Sequence, residues 1–390
     1  MIKLRLAVAC LALVGVSSLA TAEEVVKIGY ASTLSGPTAA IGGDIKDGFD
    51  LFLKSKDGKL GNLKAEVIVT DNGLKVDAEK QNVNRLLKRE KVDFMTGGVF
   101  GAMYMPVLPE ILASETFYLA PNSGLKDYAG AKCSPYLFTV GFQNEDHSPG
   151  MAKYMNDANF KSIYLVAAAG PGGREVLDGF KRHYKGAYEE MFTKLGQVDY
   201  AAEIATIRAA KPDAIFTFLP GGMGISFMKQ YVSAGLNKDI PVYMPGYNAD
   251  EDSLKSLGEV LLGTLNTSHW AHDLDNAANK KFVEAFKANY KRLPSMYAAQ
   301  GYDVAQLIDS AVKAVKGNLS DKAAVRKALE AANFESVRGY FKFNKNHMPI
   351  HDIYMREVVK NDAGVVTNRT IAKVVDKQQD PFVGDCNMPG

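Results

Sequence analysis

The chain has 390 residues, and its 46 Lys and Arg against 44 Asp and Glu give a formal net charge of +2. Charges that nearly cancel, without a basic stripe, argue against nucleic acid as a partner. A chain of this length exceeds the size at which a single hydrophobic core stops growing, so we expect two lobes.

The first 22 residues have the pattern of a secretory signal peptide. Lys3 and Arg5 are basic, residues 6–19 form an uncharged apolar run, and Ala22 ends a stretch of small residues suited to cleavage. The run is shorter than the roughly 20 apolar residues that a membrane anchor needs. A lipoprotein would be lipidated at Cys10, but that cysteine lies inside the apolar run. We therefore predict cleavage after Ala22 and a soluble, monomeric protein in the periplasm.

Strand-like and helix-like segments alternate along the rest of the chain. The first series has predicted strands at 25–31, 67–71, 92–96 and 117–120, with helices at 42–54 and 77–89. A second series has predicted strands at 163–168, 214–219 and 240–244, and an amphipathic helix follows at 303–316. This order predicts an α/β protein with parallel sheets that are covered by helices on both faces.

Cleavage of the signal peptide would leave two cysteines, Cys133 and Cys386. In the oxidising compartments that exported proteins enter, two thiols usually pair. We predict a disulfide that ties the C-terminal tail, residues 377–390, to the first lobe. Two separate buried thiols are the alternative.

Several short motifs directly follow the predicted strands. They are Ile28–Pro37, which contains Leu-Ser-Gly-Pro, then Thr70-Asp71-Asn72, Gly97-Gly98 and Ala120–Ser123. In their order and spacing, these motifs resemble those of the type I periplasmic binding proteins, specifically the leucine/isoleucine/valine-binding family. The resemblance extends over essentially the whole mature chain.

The resemblance implies two doubly wound parallel-sheet lobes joined by three short crossovers, with a ligand cleft between them. The first lobe would comprise residues 23–142 and 272–347, and the second lobe residues 143–271 and 348–376. A protein of this kind captures a small molecule by hinge closure and delivers it to an ABC importer, so its partners would be the permease and ATPase subunits.

Motifs of catalysis or of cofactor binding are not matched. The segments Gly170–Arg174 and Gly221–Gly224 are rich in glycine, but they lack the Lys-Ser/Thr pair of a phosphate-binding loop. Histidine pairs at 269/272 and 347/351 have no further ligands with metal-site spacing, and no Gly-x-Ser-x-Gly nucleophile motif occurs. We predict a protein without catalytic activity, resident metal or cofactor.

Ligands of open α/β sheets bind beyond the carboxyl ends of the strands. In the amino-acid binders of this family, a serine that holds the ligand follows the third strand. In this sequence Gly101 occupies that position, beside Ala102 and Met103. The expected threonine after the fourth strand falls on Gly124, beside Asn122 and Ser123. Amino-acid binders of the family also have a tryptophan near the start of the chain, an aromatic residue in a late helix of the first lobe and an acidic residue that binds the ammonium group. In this sequence these positions are occupied by Ile41, Tyr297 and Tyr247, respectively.

A tyrosine at the acidic position would leave a buried ammonium group without a counter-charge, which disfavours an α-amino acid. The predicted cleft is instead apolar and lined by rings, with Phe100, Met103, Pro171, Leu219, Tyr247, Trp270 and Tyr297 as candidates. Asn122, Ser123, loop N–H groups and Arg174 are candidates for binding a carboxylate. The resemblance therefore favours a benzoate- or hydroxycinnamate-like acid.

Two alternatives remain open at this point. A branched-chain amino acid would need an acidic residue in the cleft, such as Glu175 or Asp250. An exported ligand-sensing subunit would share the same fold without serving an importer.

Overall fold

A computed structural model describes residues 25–36 and 38–388 of the protein. The predicted signal peptide and its cleavage site lie outside the described residues, as does Pro37. None of the helices within these two ranges is both long enough and apolar enough to cross a membrane.

The first lobe begins with alternating strands and helices around a six-stranded sheet. Its elements are β1 (Val25–Ser32), α1 (Ala39–Ser55), β2 (Lys59–Leu60), β3 (Leu63–Asp71), α2 (Val76–Asn84) with a π-helical turn (Arg85–Glu90), β4 (Phe94–Thr96), α3 (Gly101–Tyr104), α4 (Leu108–Ala113), β5 (Phe117–Ala120), β6 (Ser123–Gly124), α5 (Lys126–Ala129) and β7 (Leu137–Thr139). The sheet order is β2-β3-β1-β4-β5-β7. All of its pairs are parallel except the β2–β3 hairpin.

The chain then crosses to the second lobe and repeats the alternation. The elements are β8 (Phe142–Gln143), which pairs with β6, then α6 (Ser148–Asp157), β9 (Ser162–Ala168), α7 (Pro171–His183), β10 (Ala187–Thr193), α8 (Ala201–Ala210), β11 (Ala214–Phe218), α9 (Gly222–Ser233) with a 3-10 turn (Leu236–Lys238), β12 (Val242–Pro245), α10 (Glu251–Leu257) with a 3-10 turn (Gly258–Leu261), and β13 (Leu265–Ser268). Strands β9 to β13 pair in parallel, as the βαβ order requires.

Three helices return to the first lobe. They are α11 (Ala277–Tyr290), α12 (Met296–Ala314) and α13 (Lys322–Ala331). Helix α12 packs closely on α1 because both present glycine at the crossing. A Cβ atom at Gly48 would lie 1.8 Å from the carbonyl oxygen of Ala298, and one at Gly301 would lie 1.9 Å from that of Ile45. Any larger residue at either glycine would force the two helices apart.

A long antiparallel hairpin completes the second sheet. Strands β14 (Phe341–Phe343), β15 (Pro349–Lys360) and β16 (Val366–Gln378) precede a final 3-10 turn (Val383–Asp385). The sheet order is β10-β9-β11-β12-β13-β15-β14, with β16 pairing to β15. The predicted lobe boundary at residue 347 therefore falls in the turn between β14 and β15, and β14 joins the second sheet by its pairing. The predicted α/β class with two parallel-sheet lobes is confirmed, with antiparallel strands added at one edge.

The C-terminal tail is fastened to the first lobe. Cys133 and Cys386 form a disulfide, with 5.7 Å between their Cα atoms. Phe382, in the same tail, packs in a small buried cluster with Ala129 and Met348. The disulfide predicted from the cysteine count is thus confirmed.

Candidate functional site

A cleft with about 590 Å³ of empty volume, including its open mouth, lies where the carboxyl ends of the two parallel sheets face each other. Most of its first-lobe residues follow β4 and β5, and Tyr297 lies in the first turn of α12; most of its second-lobe residues lie at or after the ends of β9, β10, β11 and β12. The lining residues are Val99, Phe100, Gly101, Ala102, Asn122, Ser123, Phe142, Asn144, Ala168, Ala169, Gly170, Pro171, Gly172, Gly173, Leu195, Phe218, Pro220, Met223, Tyr247 and Tyr297.

Aromatic rings form one wall of the cleft. The Tyr247 ring lies 4.6 Å from the ring of Phe142 and meets the Phe218 ring edge-on at 5.3 Å. From the first lobe, the Tyr297 hydroxyl donates a 3.4 Å hydrogen bond to the Tyr247 carbonyl. Burial raises the pKa of the Tyr247 hydroxyl well above its ordinary value, so this side chain stays neutral. The wall therefore offers ring surface and no fixed charge.

Two polar side chains of the first lobe lie in the cleft beside these rings. Asn122 donates from Nδ2 to the Val99 carbonyl at 2.7 Å, and its Oδ1 has no hydrogen-bond partner among the described residues. The carbonyl of Ser123 accepts a hydrogen bond from the Tyr104 hydroxyl, whose oxygen also lies 3.2 Å from Ser123 Oγ. Both side chains are thus held in place by first-lobe partners.

The N-terminus of α7 contributes hydrogen-bond donors from the second lobe. The first four backbone N–H groups of a helix have no partner within the helix. Here Pro171 carries no N–H, and the Arg174 N–H donates to the Gly170 carbonyl, so the N–H groups of Gly172 and Gly173 remain. These residues line the cleft. Because helix N-termini carry partial positive charge, this part of the cleft is suited to an anion.

Glu175 joins the two lobes at the edge of the cleft. Its carboxylate accepts a 3.0 Å hydrogen bond from the backbone N–H of Lys126 in the first lobe and a 2.8 Å hydrogen bond from Asn144 Nδ2 in the first crossover. Burial raises the pKa of this carboxyl to about 7. Asp250, the other acidic candidate, caps α10 through the Asp252 N–H. Neither acid lines the cleft.

The structure brings eight of the fourteen predicted ligand-binding residues to the cleft. They are Phe100, Gly101, Ala102, Asn122, Ser123, Pro171, Tyr247 and Tyr297. Residues that the sequence reasoning did not select also line it, among them Phe142, Asn144 and Phe218. Phe142 lay at the predicted boundary between the lobes and Phe218 near the carboxyl end of a predicted strand, and both kinds of position are expected to face a cleft between the lobes.

Of the other six predicted residues, three are buried within the lobes. Trp270 is 0% exposed, and its Nε1 donates to Asn279 Oδ1 at 2.8 Å. Leu219 is also 0% exposed and packs in the second-lobe core. Gly124 lies in β6, where a Cβ atom would be 3.0 Å from the Phe142 carbonyl oxygen.

The last three of these residues have contacts outside the cleft. Ile41 packs against Gly221 across a neighbouring gap between the lobes. The Arg174 guanidinium lies 4.6 Å from the centre of the Phe192 ring, so its charge is held over an aromatic face. Met103, in α3, is buried in the first lobe and does not line the cleft.

The lobe junction contains a buried cluster of three histidines. His147 Nε2 lies 2.9 Å from His269 Nδ1, and the His269 ring stacks on that of His351 at 5.2 Å. Burial lowers the pKa of all three well below the ordinary value, so they are neutral. Within the described ranges, no group of three or more His, Cys, Asp or Glu side chains is arranged to hold a metal ion.

Comparison with known proteins places the chain in a family. A family model described as periplasmic binding protein matches residues 25–363. The chain belongs to this family. It is a solute-binding protein of the ABC transporter type, and the resemblance inferred from its motifs is confirmed. Such proteins are exported, bind small molecules and work with ABC transporter components.

Some of the similar proteins are named as Leu/Ile/Val-binding proteins, and others are described in complex with benzoate or a hydroxylated benzoate. The chain is 29% identical over 387 residues to Leu/Ile/Val-binding protein homolog 6 of Brucella melitensis, covering 97% of this chain and 98% of the relative. It is 28% identical to a solute-binding protein from R. palustris in complex with benzoate, with a TM-score of 0.86 and coverage of 93% and 99%. It is also 28% identical to one from Rhodopseudomonas palustris BisB5 in complex with 3,4-dihydroxy benzoic acid, with a TM-score of 0.84 and coverage of 92% and 99%.

Proposed function

We propose that this protein captures a small aromatic monocarboxylate, benzoate-like or hydroxycinnamate-like, for import by an ABC transporter. The observation that carries the proposal is the neutral, ring-lined wall around Tyr247, at the position where an amino-acid binder needs an acid. Aromatic ligands gain edge-to-face and offset-stacked contacts on such a wall. Two proteins of similar structure are described with benzoate and with 3,4-dihydroxy benzoic acid, which supports the same ligand class.

The carboxylate of the ligand would be bound at the start of α7. The N–H groups of Gly172 and Gly173 are available there, and the helix dipole favours a negative charge. The rings of Tyr247, Phe142 and Phe218 would contact the apolar body of the ligand. Closure of the two lobes would then exclude water from both parts of the ligand.

The cellular setting belongs to the same proposal. The mature protein would begin after Ala22, act as a monomer in the periplasm and deliver its ligand to the permease and ATPase subunits of an importer. The uncharged apolar run that precedes Ala22 supports export.

A branched-chain amino acid is the second candidate, because several relatives are named Leu/Ile/Val-binding proteins. No Asp or Glu side chain lies among the described residues that line the cleft, whereas Asp44, Asp250 and Asp252 line the neighbouring gap, which shares Tyr297 with it. An ammonium group inside the cleft itself would therefore lose its hydration without gaining an adjacent counter-charge, at a cost of several kcal/mol. An aromatic acid carries no such group.

Titration calorimetry tests the proposal directly. The mature protein is titrated with benzoate, 4-hydroxybenzoate, a hydroxycinnamate and leucine under the same conditions. We expect at least one aromatic acid to bind more tightly than leucine by tenfold or more, about 1.4 kcal/mol. Micromolar binding of leucine without heat from any aromatic acid would overturn the ligand assignment and leave the family unchanged.

A further inference from the structure

Asn122 and Ser123 are the two polar side chains that the first lobe places in the cleft, and their hydrogen bonds determine which ligand group can bind beside them. Asn122 must donate from Nδ2 to the Val99 carbonyl, because a carbonyl oxygen can only accept. This fixes the amide orientation and makes Oδ1 the free atom. Asn122 is 7% exposed, and its Oδ1 has no partner among the described residues. Buried acceptors in native proteins are almost always paired, so a partner is expected from the ligand.

Counting protons at Ser123 gives the same polarity. The only hydroxyl proton of Tyr104 is donated to the Ser123 carbonyl. Ser123 Oγ lies 3.2 Å from the Tyr104 hydroxyl oxygen, to which it can donate its own proton. The lone pairs of Ser123 Oγ can then accept a hydrogen bond from a further partner. Asn122 and Ser123, which are neighbours in sequence and both line the cleft, thus present acceptors.

The unpartnered Asn122 Oδ1 narrows the choice of ligand group. A carboxylate has no proton to donate to this oxygen, so the carboxylate that we predicted for these two side chains from the sequence fits better at α7. An ammonium group has protons, but no carboxylate of the described residues lines the cleft to balance its charge. A neutral hydroxyl group has a proton to donate and carries no charge that needs balancing. The Tyr247 hydroxyl, also without a partner among the described residues, can either donate to such a group or accept from it.

We infer that the preferred ligand is a hydroxylated aromatic acid, whose ring hydroxyl donates to Asn122 Oδ1 while its carboxylate lies at the start of α7. This rests on the proposed function and narrows it to a substrate class. Asn122 then acts as the residue that distinguishes hydroxylated acids from benzoate. Ser123 and Tyr247 complete the hydrogen bonding around the hydroxyl group.

The test compares ligands that differ by one hydroxyl group. Calorimetry with benzoate and with 2-, 3- and 4-hydroxybenzoate gives the affinity ratio of each hydroxylated acid to benzoate. We expect the better of the 3- and 4-isomers to bind about tenfold tighter than benzoate, the typical value of one additional hydrogen bond. The 2-isomer should resemble benzoate, because its hydroxyl already donates to its own carboxylate.

Variants of Asn122 show whether this side chain produces the preference. In Asn122→Ala the ratio should fall below about threefold, because the acceptor oxygen is removed. Asn289→Ala, an exposed asparagine on α11, is the matched control and should leave all affinities unchanged. Because the readout is a ratio within one protein, partial unfolding of a variant lowers both affinities and leaves the ratio intact.

Each outcome is informative. If no aromatic acid binds, the proposed function fails and this inference fails with it. If benzoate binds as tightly as every hydroxybenzoate, the proposed function stands and the hydroxyl inference is overturned. If the preference exists but survives Asn122→Ala undiminished, the assignment of Asn122 is overturned.

Discussion

Lobe closure should depend on pH through Glu175. The side chain belongs to α7 of the second lobe, yet it accepts hydrogen bonds from the Lys126 N–H in the first lobe and from Asn144 in the crossover. Burial in this arrangement raises the pKa of the Glu175 carboxyl to about 7, and the negative charges of Glu145 and Asp127 add to the effect. When the lobes separate, the carboxyl regains water and its ordinary pKa.

The direction and size of the pH effect follow from the difference between the Glu175 pKa in the closed form and in the open form. A carboxyl whose pKa is raised from 4.5 to about 7 on closure binds its proton more tightly in the closed form. Closure is therefore least costly below pH 4.5 and becomes more costly as pH rises to about 7. The full difference corresponds to about 3 kcal/mol. Because Glu175 keeps some contact with solvent, we expect about half of it, roughly a tenfold loss of affinity.

Calorimetry with one aromatic acid between pH 5.5 and 8 measures this dependence. The ligand stays ionised over the range, so its own charge does not change. Because pH 5.5 already lies above 4.5, Glu175→Gln should bind about threefold more tightly than native at pH 5.5 and about tenfold more tightly at pH 8. Glu284→Gln, at an exposed position on α11, is the control and should follow the native curve. A Glu175→Gln variant with the same pH dependence as the native protein would refute the reasoning.

Three further predictions concern the tail, the ring wall and the lobes. Free-thiol titration of the denatured, unreduced protein should find no thiol at Cys133 or Cys386, and reduction should lower stability by at most about 5 kcal/mol, given a loop of 253 residues. Tyr247→Ala should weaken aromatic-acid binding by about 1 kcal/mol in calorimetry, through lost ring contacts, while the exposed Tyr188→Ala should not. Small-angle scattering should show a smaller radius of gyration with saturating ligand; an unchanged radius at confirmed occupancy would contradict hinge closure.

Sequence patterns predicted most of the buried strands and missed several others, among them the edge strands and the short interior strand β13, whose residues are mostly polar. The strand predicted at 25–31 is β1, and the one predicted at 163–168 is β9. Both are flanked by other strands and covered by helices, so they form near-continuous apolar runs. Strand β10 was missed because it lies at the edge of its sheet, with exposed Tyr188 and Glu189 in place of an apolar run. The β15–β16 hairpin was missed because nothing in the βαβ pattern predicts an antiparallel addition.

The same limit applies to the cleft. Loop positions after strands could be predicted, because parallel strands all deliver their carboxyl ends to one edge. Whether a single side chain at such a position points into the cleft or into the core could not be predicted. Tyr247 and Trp270 follow neighbouring strands, yet Tyr247 lines the cleft and Trp270 points into the core to reach Asn279. Which atom of a side chain donates and which one is left to accept likewise depends on its partner. For Asn122 that partner is the Val99 carbonyl, 23 residues away in the sequence.

Two carboxyls have raised pKa values, and they should affect different properties of the protein: Glu175 the pH dependence of ligand affinity, and Asp146 the pH dependence of folding stability. Asp146 lies in the lobe junction, where it accepts a 2.8 Å hydrogen bond from the Gln143 N–H and lies 3.1 Å from His351 Nε2. Burial raises its pKa to about 8. Gln143, Asp146 and His351 all fall within the predicted second lobe, so opening the cleft leaves them together. Asp146 should therefore lower folding stability as pH rises toward 8, whereas Glu175, whose partners part when the lobes open, should change ligand affinity.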